Sequence, residues 1–593
     1  MAFLIEFGQM EKAMKENITP SRIAKRIAWL IYFESLTIFG FFSIRPVPKF
    51  LKRVGEALHP NILLSSELAS ILIAVCLLMA AGGIKLRRKQ AWNLALILQI
   101  SLILTSLFKT ISFISNKHHD ALVFLKAFGL THLLLEILIL VFLIKYRNLF
   151  KTISDPPTKK KATLFILRNI GLALIVGFLI VYLDHGSFIK KVSLTQAFEI
   201  AIKGLIGISG PALFTSNFSQ ERLEFFLGGL GLIALVTSLA AFLKPISKKT
   251  LLSFENFSKI RKLLREYGQA DSLSYFALRD NKTVIWSKNG KVAIPYSVVS
   301  GVMISTGDPI GDFESWPSAM ELFVAEADKY GWIPAIYGCT EKAGEIWVRE
   351  SNFDALEIGD EAIVDVSSFS IEGPVMKNVR QTLNRIKRLE YEAKSATIAE
   401  LPETTRLEMS SLMQSWRKAD TERGFSMALG RFCDPKDPDC LVVWAEKSGQ
   451  IMAIFQFVPW GSNSYSLDLM RRSPEADTGV SELLILEAIE VAKRNNFLEI
   501  SLNFASFRSI FERGKKLGAG PITRANHKLL LFLSRFFQME SLYRFNAKFS
   551  PRWEPRFIVF PGLGNLVRVG YAVLRIEAFI PDLRKPRFFN KAK

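Results

Sequence analysis

The hydrophobic pattern of the chain changes once, near residue 245. Before that point apolar residues run on in stretches of about 20, the length a helix needs to cross a hydrocarbon core. Such runs lie near 27–44, 67–84, 91–114, 121–144, 162–183 and 225–243, and they predict six spanning helices. The stretch 193–210 is amphipathic and reads as an interfacial or re-entrant helix. Glu34, Lys126, His132 and Glu136 fall inside predicted spans. Charge is costly there, so these residues either serve a function or pair within the bundle. The glycines of 228–232 lie within a span with no strand before them, which predicts close helix packing and not a nucleotide loop.

Beyond residue 250 the apolar runs become short and alternate with polar positions. Two segments, 284–338 and 442–504, share one pattern. Each has a hairpin turning at Gly290 or Gly449, a third strand ending in charge, and a polar loop. An amphipathic helix follows, over 316–330 or 480–494, and then another strand. A hairpin followed by strand, helix and strand is the core of the GNAT-type acyltransferase fold, so two copies predict an α+β tandem. The expected architecture is a multi-span α-helical membrane domain over 1–245, a first GNAT-like subdomain over 250–395, and a second over 396–593 carrying the active site. A basic helix over 375–389 closes the first subdomain. It reads as a solvated connector or as a contact for RNA or lipid phosphate.

Charge narrows the partners. The 593 residues hold 76 Lys and Arg against 55 Asp and Glu, a net +21. That excess implies an acidic partner, either nucleic acid or anionic lipid. Basic loops at 85–89 and 145–161 place 1–26 and 244–593 in the cytoplasm by the positive-inside rule, although the basic 45–66 loop dilutes the signal. The first 26 residues are too polar for a cleavable signal. Four cysteines form no CxxC pair, which argues against a structural zinc site or a disulfide framework. Only His527 lies beyond residue 250, which removes most His-dependent mechanisms from that half.

Chemistry concentrates in Tyr465–Arg472, "YSLDLMRR". Asp468 stands inside an apolar strand, where a carboxylate is costly unless partnered. Arg471 and Arg472 leave the strand as guanidinium forks suited to phosphate. The following loop, 471–479, carries Glu475 and Asp477, which would repel the pyrophosphate of an acyl-CoA. The glycine-containing 515–520 stretch imitates a pyrophosphate loop but follows the last core strand.

Six stretches in one order resemble a known family: "STGDPIGD" (305–312), "IGDEAIVDV" (358–366), "FSIEG" (369–373), "ERGFSMALGRF" (422–432), "SLDLMRR" (466–472) and "RFNAKFSPRWEPRF" (544–557). Together they resemble the catalytic region of the phosphatidylglycerol lysyltransferases, the aminoacyl-phosphatidylglycerol synthases of the multiple peptide resistance factor type. "LNFASFRSIFERG" (502–514) and "LRRKQAW" (86–92) look like the actinobacterial-type branch. Members of that branch are often fused to a lysyl-tRNA synthetase, which is not expected within these 593 residues, and no flipping unit built from extra spans is expected either.

The resemblance implies transfer of an aminoacyl group from tRNA to the hydroxyl of phosphatidylglycerol, at the inner or plasma membrane of a bacterium. Lysyl is the first expectation. The product would be a cationic lipid that lowers surface negative charge and resists cationic antimicrobial peptides. The donor is already an activated ester, so no cofactor and no metal are expected. Expected catalytic residues are Asp468, Arg471, Lys548 and Glu422. Expected substrate-binding residues are Ser426, Arg472, Arg552 and Arg556. Asp468 would take a substrate ammonium, the alternative being a permanent pair with Arg471 or Lys548. Glu422 would take a second ammonium or act as base, and Lys548 would steady the oxyanion. Ser426 would bind the ester or cap a helix, and Arg552 and Arg556 would reach the lipid phosphate or rim the site. The stretch 527–545 reads as an amphipathic helix at the lipid entrance or as a core helix. Two other readings stay open: alanyl transfer or another hydroxylated acceptor lipid, and a non-catalytic scaffold that binds tRNA or lipid. The first repeat is expected to be inactive, because "STGDPIGD" stands there in place of "SLDLMRR". Oligomeric state is not legible.

Overall fold

The computed structural model describes residues 23–38, 60–85, 87–115, 122–150, 156–184, 186–206, 214–242, 252–417, 424–506 and 539–580. The chain forms two compact units, one ending at Ile246 and one occupying almost everything from Ser247.

The first unit is helical: α1 (23–38), α2 (Pro60–Lys85), α3 (Lys89–Ser115), α4 (Leu122–Lys145), α5 (Pro156–Leu183), α6 (Leu194–Leu205) and α7 (Asn217–Phe242). A helix falls on each of the six long apolar runs. Two stretches, Thr163–Leu183 and Arg222–Ala240, are long and apolar enough to cross a membrane. The short amphipathic α6 starts with a capping box, Ser193 and Gln196 satisfying each other's end of the first turn. Glycine sets the packing of α6 on α7: a Cβ at Gly231 would lie 1.9 Å from the Leu205 carbonyl oxygen. Close helix approach is therefore the role of Gly231, whereas a Cβ at Gly229 would meet nothing within 4 Å. Glu34 is buried and accepts from Gln99 Nε2 at 2.5 Å, while buried Glu136 accepts from Ser106 Oγ at 2.9 Å. Both carboxylates thus bond within the bundle. The side chains of Lys126 and His132 lie outside the described residues.

The second unit is one long sheet. Its strands are β1 (Thr283–Trp286), β2 (Val292–Val299), β3 (Val302–Thr306), β4 (Ile310–Gly311), β5 (Ile333–Cys339), β6 (Asp354–Asp365), β7 (Tyr391–Thr397), β8 (Leu441–Lys447), β9 (Gln450–Trp460), β10 (Ser464–Arg472), β11 (Glu499–Ser506) and β12 (Arg552–Phe560). The order across the sheet is β1-β2-β3-β5-β12-β6-β11-β10-β9-β8-β7, with β4 paired to β2. Its helices are α8 (Phe254–Tyr267), α9 (Trp316–Tyr330), α10 (Glu341–Ser351), α11 (Lys377–Arg388), α12 (Glu403–Ser415), α13 (Val480–Arg494), α14 (Met539–Asn546) and α15 (Leu566–Ile576).

The duplication read from the pattern is present in the strands. Antiparallel β1-β2-β3, helix α9 and parallel β5 correspond to antiparallel β8-β9-β10, helix α13 and parallel β11. Strand exchange joins the copies. The last strand of the first, β6, pairs with β11 of the second, and the last strand of the second, β12, pairs with β5 of the first. The two exchanged strands also pair with each other. Helices α11 and α13 cover one core, in which Val379, Leu383 and Ile386 meet Ile485, Ile489 and Phe455. Their spacing of four and three residues turns one stripe of the basic α11 inward. Gly479, with φ +105°, starts α13. A Cβ there would lie 2.5 Å from Thr382 Cγ2, so only glycine permits the loop to press on α11.

Candidate active site

The site starts from a defect in the parallel pairing of the second copy. Strands β10 and β11 run together only from Ser464–Ser466 against Glu499–Ser501. Both then break register, β10 between Leu467 and Leu469 and β11 between Ser501 and Phe504. Asp468 is the extra residue of the first bulge, and Asn503, with φ +68°, lies in the second. Bulges bend strands apart, and here the gap is bridged by a side chain: Asn503 Nδ2 donates to the carbonyls of Leu467 at 2.8 Å and Met427 at 3.2 Å. In the first copy β3 and β5 stay paired over all five residues of β3. The early end of the parallel pairing belongs to the second copy.

Asp468 is buried, 9% exposed. Its Oδ1 accepts from the Leu429 amide at 2.8 Å and its Oδ2 from Gln456 Nε2 at 2.6 Å. Both donors are neutral. Burial pushes the carboxyl up to about 7, against the pull of these two bonds toward the charged form. A carboxylate offers about four lone-pair sites, so two hydrogen bonds leave acceptor capacity. The permanent pair considered from sequence is not formed. Lys548 Nζ goes to Glu482 at 2.7 Å, and Arg471 Nη1 donates to the Met413 carbonyl.

A loop over 424–433 supplies the amide to Asp468, and the first copy holds that loop. Arg279 Nη1 donates to the carbonyls of Gly424 at 3.0 Å and Ala428 at 2.7 Å. Lys282 is fully buried. Its Nζ lies 4.7 Å from the Phe425 ring centre and donates to Thr306 Oγ1 at 2.7 Å. Burial and the neighbouring Arg279 charge push this ammonium down to about 7. The Ser426 amide donates to buried Glu577 at 2.9 Å, and burial raises that carboxyl above its ordinary value. At the far end of the loop the Cys433 amide donates to Gln456 Oε1 at 2.9 Å. Gln456 is thereby fixed with its amide nitrogen toward Asp468.

The registers give Thr306 a further meaning. Val302 opens the parallel pairing in the first copy and Ser464 in the second, so Thr306 stands at the position of Asp468. Where the second copy presents a carboxylate, the first presents a hydroxyl already taken by Lys282.

The sequence candidates do not all come together in one place. Asp468 and Ser426 meet through the 424–433 loop, which Ser426 joins by its backbone. Arg471 and exposed Arg472 end β10, while Lys548 stands over the start of α13 through Glu482. Arg552 is about half exposed and pairs with Glu499 and Glu554, each at 2.8 Å. Arg556 is 2% exposed, which places it in the interior and not at a rim. Its Nη1 donates to Asp271 at 2.7 Å and to the Gly338 carbonyl at 3.2 Å. Its Nε donates to Glu361 at 2.9 Å and its Nη2 to Ser272 at 2.9 Å. It stitches the exchanged strands together. Asp308 of "STGDPIGD" is buried nearby. Its Oδ1 accepts from the Thr340 amide at 2.8 Å and its Oδ2 from the Thr340 hydroxyl at 2.7 Å. Burial and Asp271 raise its carboxyl to about 7. Glu422, His527 and the 515–520 stretch lie outside the described residues. Among the described residues no group of three His, Cys, Asp or Glu could hold a metal.

Sequence reasoning missed Gln456, Asn503, Arg279, Lys282 and Glu577. Gln456 carried a signal, an amide in the middle of the apolar strand "AIFQFVPW". So did Asn503, the one residue able to take φ above zero easily in "SLNFAS". Arg279, Lys282 and Glu577 reach the loop from more than 140 residues away, and nothing local marks them.

A duplicated GNAT-like sheet, carrying paired bulges around a buried carboxylate in one copy, defines the fold class as a tandem GNAT-like unit. The family follows from comparison. A family model described as "Phosphatidylglycerol lysyltransferase, C-terminal" matches residues 261–560. The chain belongs to the phosphatidylglycerol lysyltransferase family. It is 34% identical over 541 residues, 91% of its length, to the lysylphosphatidylglycerol biosynthesis bifunctional protein LysX of Mycobacterium avium, of which it covers 45%. It is 34% identical over 566 residues, 95% of its length, to the protein of the same name from Rhodococcus jostii, of which it covers 49%. The chain thus spans about half the length of these curated relatives. Among solved structures, L-PGS from Bacillus licheniformis is 21% identical, with a TM-score of 0.49 over 57% of this chain and 99% of that one.

Proposed function

We propose that the chain transfers an aminoacyl group, lysyl in first place, from its tRNA to the hydroxyl of phosphatidylglycerol. The observation that carries this is Asp468: a buried carboxylate at the open end of two parallel strands, held by neutral donors. A carboxylate paired to a cation would be spent. One bonded by an amide N–H and a carboxamide keeps its charge available for an incoming ammonium. Lysine carries an ε-ammonium that alanine lacks, so an anion facing the amino-acid side chain selects lysine.

In the transfer, the glycerol hydroxyl oxygen attacks the carbonyl carbon of the aminoacyl ester. The bond to the ribose oxygen breaks, and the proton of the attacking hydroxyl ends on that ribose oxygen. Asp468 binds and orients the amino acid. Gln456 and the Leu429 amide fix the carboxylate, and the 424–433 loop is held in turn by Arg279, Lys282 and Glu577. Orientation of this kind lowers the barrier to a reaction between two bound partners. Arg471, Arg472 and Lys548, cationic side chains at the end of β10 and the start of α13, act on lipid phosphate or on the developing oxyanion.

Six helices of the first unit anchor the enzyme in a bacterial membrane with the catalytic unit on the cytoplasmic side. The long apolar helices and the basic loops between them support this. The product adds positive charge to the membrane surface, which repels cationic antimicrobial peptides. The test is the lipid extract of cells expressing the chain: a new cationic lipid appears with the native sequence and is absent with Asp468→Ala. An unchanged lipid profile at equal expression of the native chain refutes the reading.

A further inference from the structure

A groove of about 460 Å³ lies between α8 and the segment 435–438. Its lining joins aromatic to mostly basic groups: Phe254, Phe257, Lys262 and Arg265 from α8, with Lys436 opposite and Glu266 the one acid. Phe254 is 88% exposed, a large ring left in solvent at the groove's edge. Among the described residues of α8, Ile260 and Leu264 are the buried ones, and Phe254 lies off their side of the helix. We propose that this groove binds the single-stranded 3′ end of an RNA, the terminus that carries the aminoacyl ester. This deepens the function proposed above and rests on it.

Charge and chain continuity favour that occupant. Groups with a π-face stack on exposed aromatic rings, and phosphates are drawn to adjacent lysine and arginine, which together is how single strands are held. Arg261 is already committed to Asp437 at 3.2 Å, and Arg265 lies 3.8 Å from Asp439. Lys262 and Lys436 are the cations that remain for phosphate. Hydrogen bonds link the wall segment 435–438 to Asp468. Asp437 accepts from Arg431 Nε at 2.6 Å, and the Arg431 carbonyl accepts from Gln456 Nε2 at 3.3 Å, the same nitrogen that donates to Asp468. Arg431 also lies 5.7 Å from the Phe257 ring centre. Six residues separate Leu429, which bonds Asp468, from Pro435 on the groove wall. That chain spans at most about 22 Å. The groove wall and the amide that bonds Asp468 thus belong to one continuous segment, 429–438.

The experiment measures binding of two unacylated RNA hairpins to the full chain in neutral-lipid nanodiscs, one with a single-stranded 3′ end and one blunt. The native chain prefers the hairpin with the free end. Phe254→Ala lowers its affinity by about 5- to 150-fold and removes the preference, whereas Phe254→Tyr, which keeps a ring, retains it. Lys262→Ala with Lys436→Ala weakens binding and reduces the salt slope by about 0.7 per lysine. Equal binding of both hairpins by the native chain and Phe254→Ala overturns the inference. So does a result in which these substitutions leave RNA binding intact but lower affinity for nanodiscs containing anionic lipid, which would make the groove a membrane contact. No transfer takes place in this assay, so its failure is distinct from a failure of the catalytic reading.

Discussion

Gln456 on β9 and Asp468 on β10 are joined by a 2.6 Å hydrogen bond from carboxamide to carboxylate. The bond forms beside the β10 bulge, where Gln456 pairs with Leu469. Gln456 also holds the 424–433 loop at Arg431 and Cys433. One amide thus ties the carboxylate to the loop above it. Gln456→Leu removes the donor and leaves a buried acceptor short of a partner. The expected cost is about 1–3 kcal/mol in stability, read from denaturant midpoints. The expected loss in transfer exceeds that of a comparable leucine substitution elsewhere in β9.

Protonation of Asp468 gives a pH signature. Its carboxyl sits near 7 in the folded protein, against an ordinary 3.8. Only the ionised form attracts an ammonium, so kcat/KM for lysyl-tRNA rises as pH passes through about 7. Asp468→Asn flattens that rise. The sign for stability is opposite. The folded state binds the proton more tightly than the unfolded chain, so the cost of burying the charge is full above about 7 and disappears below about 3.8. Asp468→Asn therefore gains stability relative to the native chain above pH 7, which urea titrations at pH 5 and pH 8 compare.

Lys282 behaves in the reverse sense. Its folded value near 7 lies below the ordinary 10.5, so the unfolded chain holds the proton more tightly between these limits. The cost of the buried ammonium is complete below about pH 7 and fades toward 10.5. Lys282→Met gains most relative to the native chain at pH 6 and least at pH 10. Because Lys282 holds Phe425, the same substitution loosens the 424–433 loop and raises KM for the aminoacyl donor. A gain in stability together with a loss in affinity separates this role from packing alone.

Arg552 and Arg556 stand four residues apart on β12, yet their environments differ completely. Arg556→Ala strands the carboxylates of Asp271 and Glu361 in the interior, at an expected cost of about 3–5 kcal/mol. Arg552→Ala breaks exposed pairs and costs about 1 kcal/mol or less. Thermal unfolding of the two variants tests the contrast.

Local pattern carried much of this fold. Alternation, the glycine turns and the helical spacing of 316–330 and 480–494 placed the hairpins and the helices α9 and α13 of both copies. Strand exchange was not legible, because β6 and β12 pair across some 190 residues, and no local pattern encodes a partner at that distance. That blind spot explains Arg556. Its sequence neighbourhood, "SPRWEPRF", reads as a basic rim, but exchange carries β12 into the centre of the sheet. Asp468 was legible as a carboxylate in an apolar strand. Its partners were not, since a backbone amide such as that of Leu429 has no signature in sequence.

The central claim is tested most directly by incubating the purified full chain with phosphatidylglycerol and radiolabelled lysyl-tRNA, with alanyl-tRNA in parallel. The account predicts label in the lipid from lysyl-tRNA, far less from alanyl-tRNA, and none above background with Asp468→Ala. Equal labelling by the native and Asp468→Ala chains would contradict it.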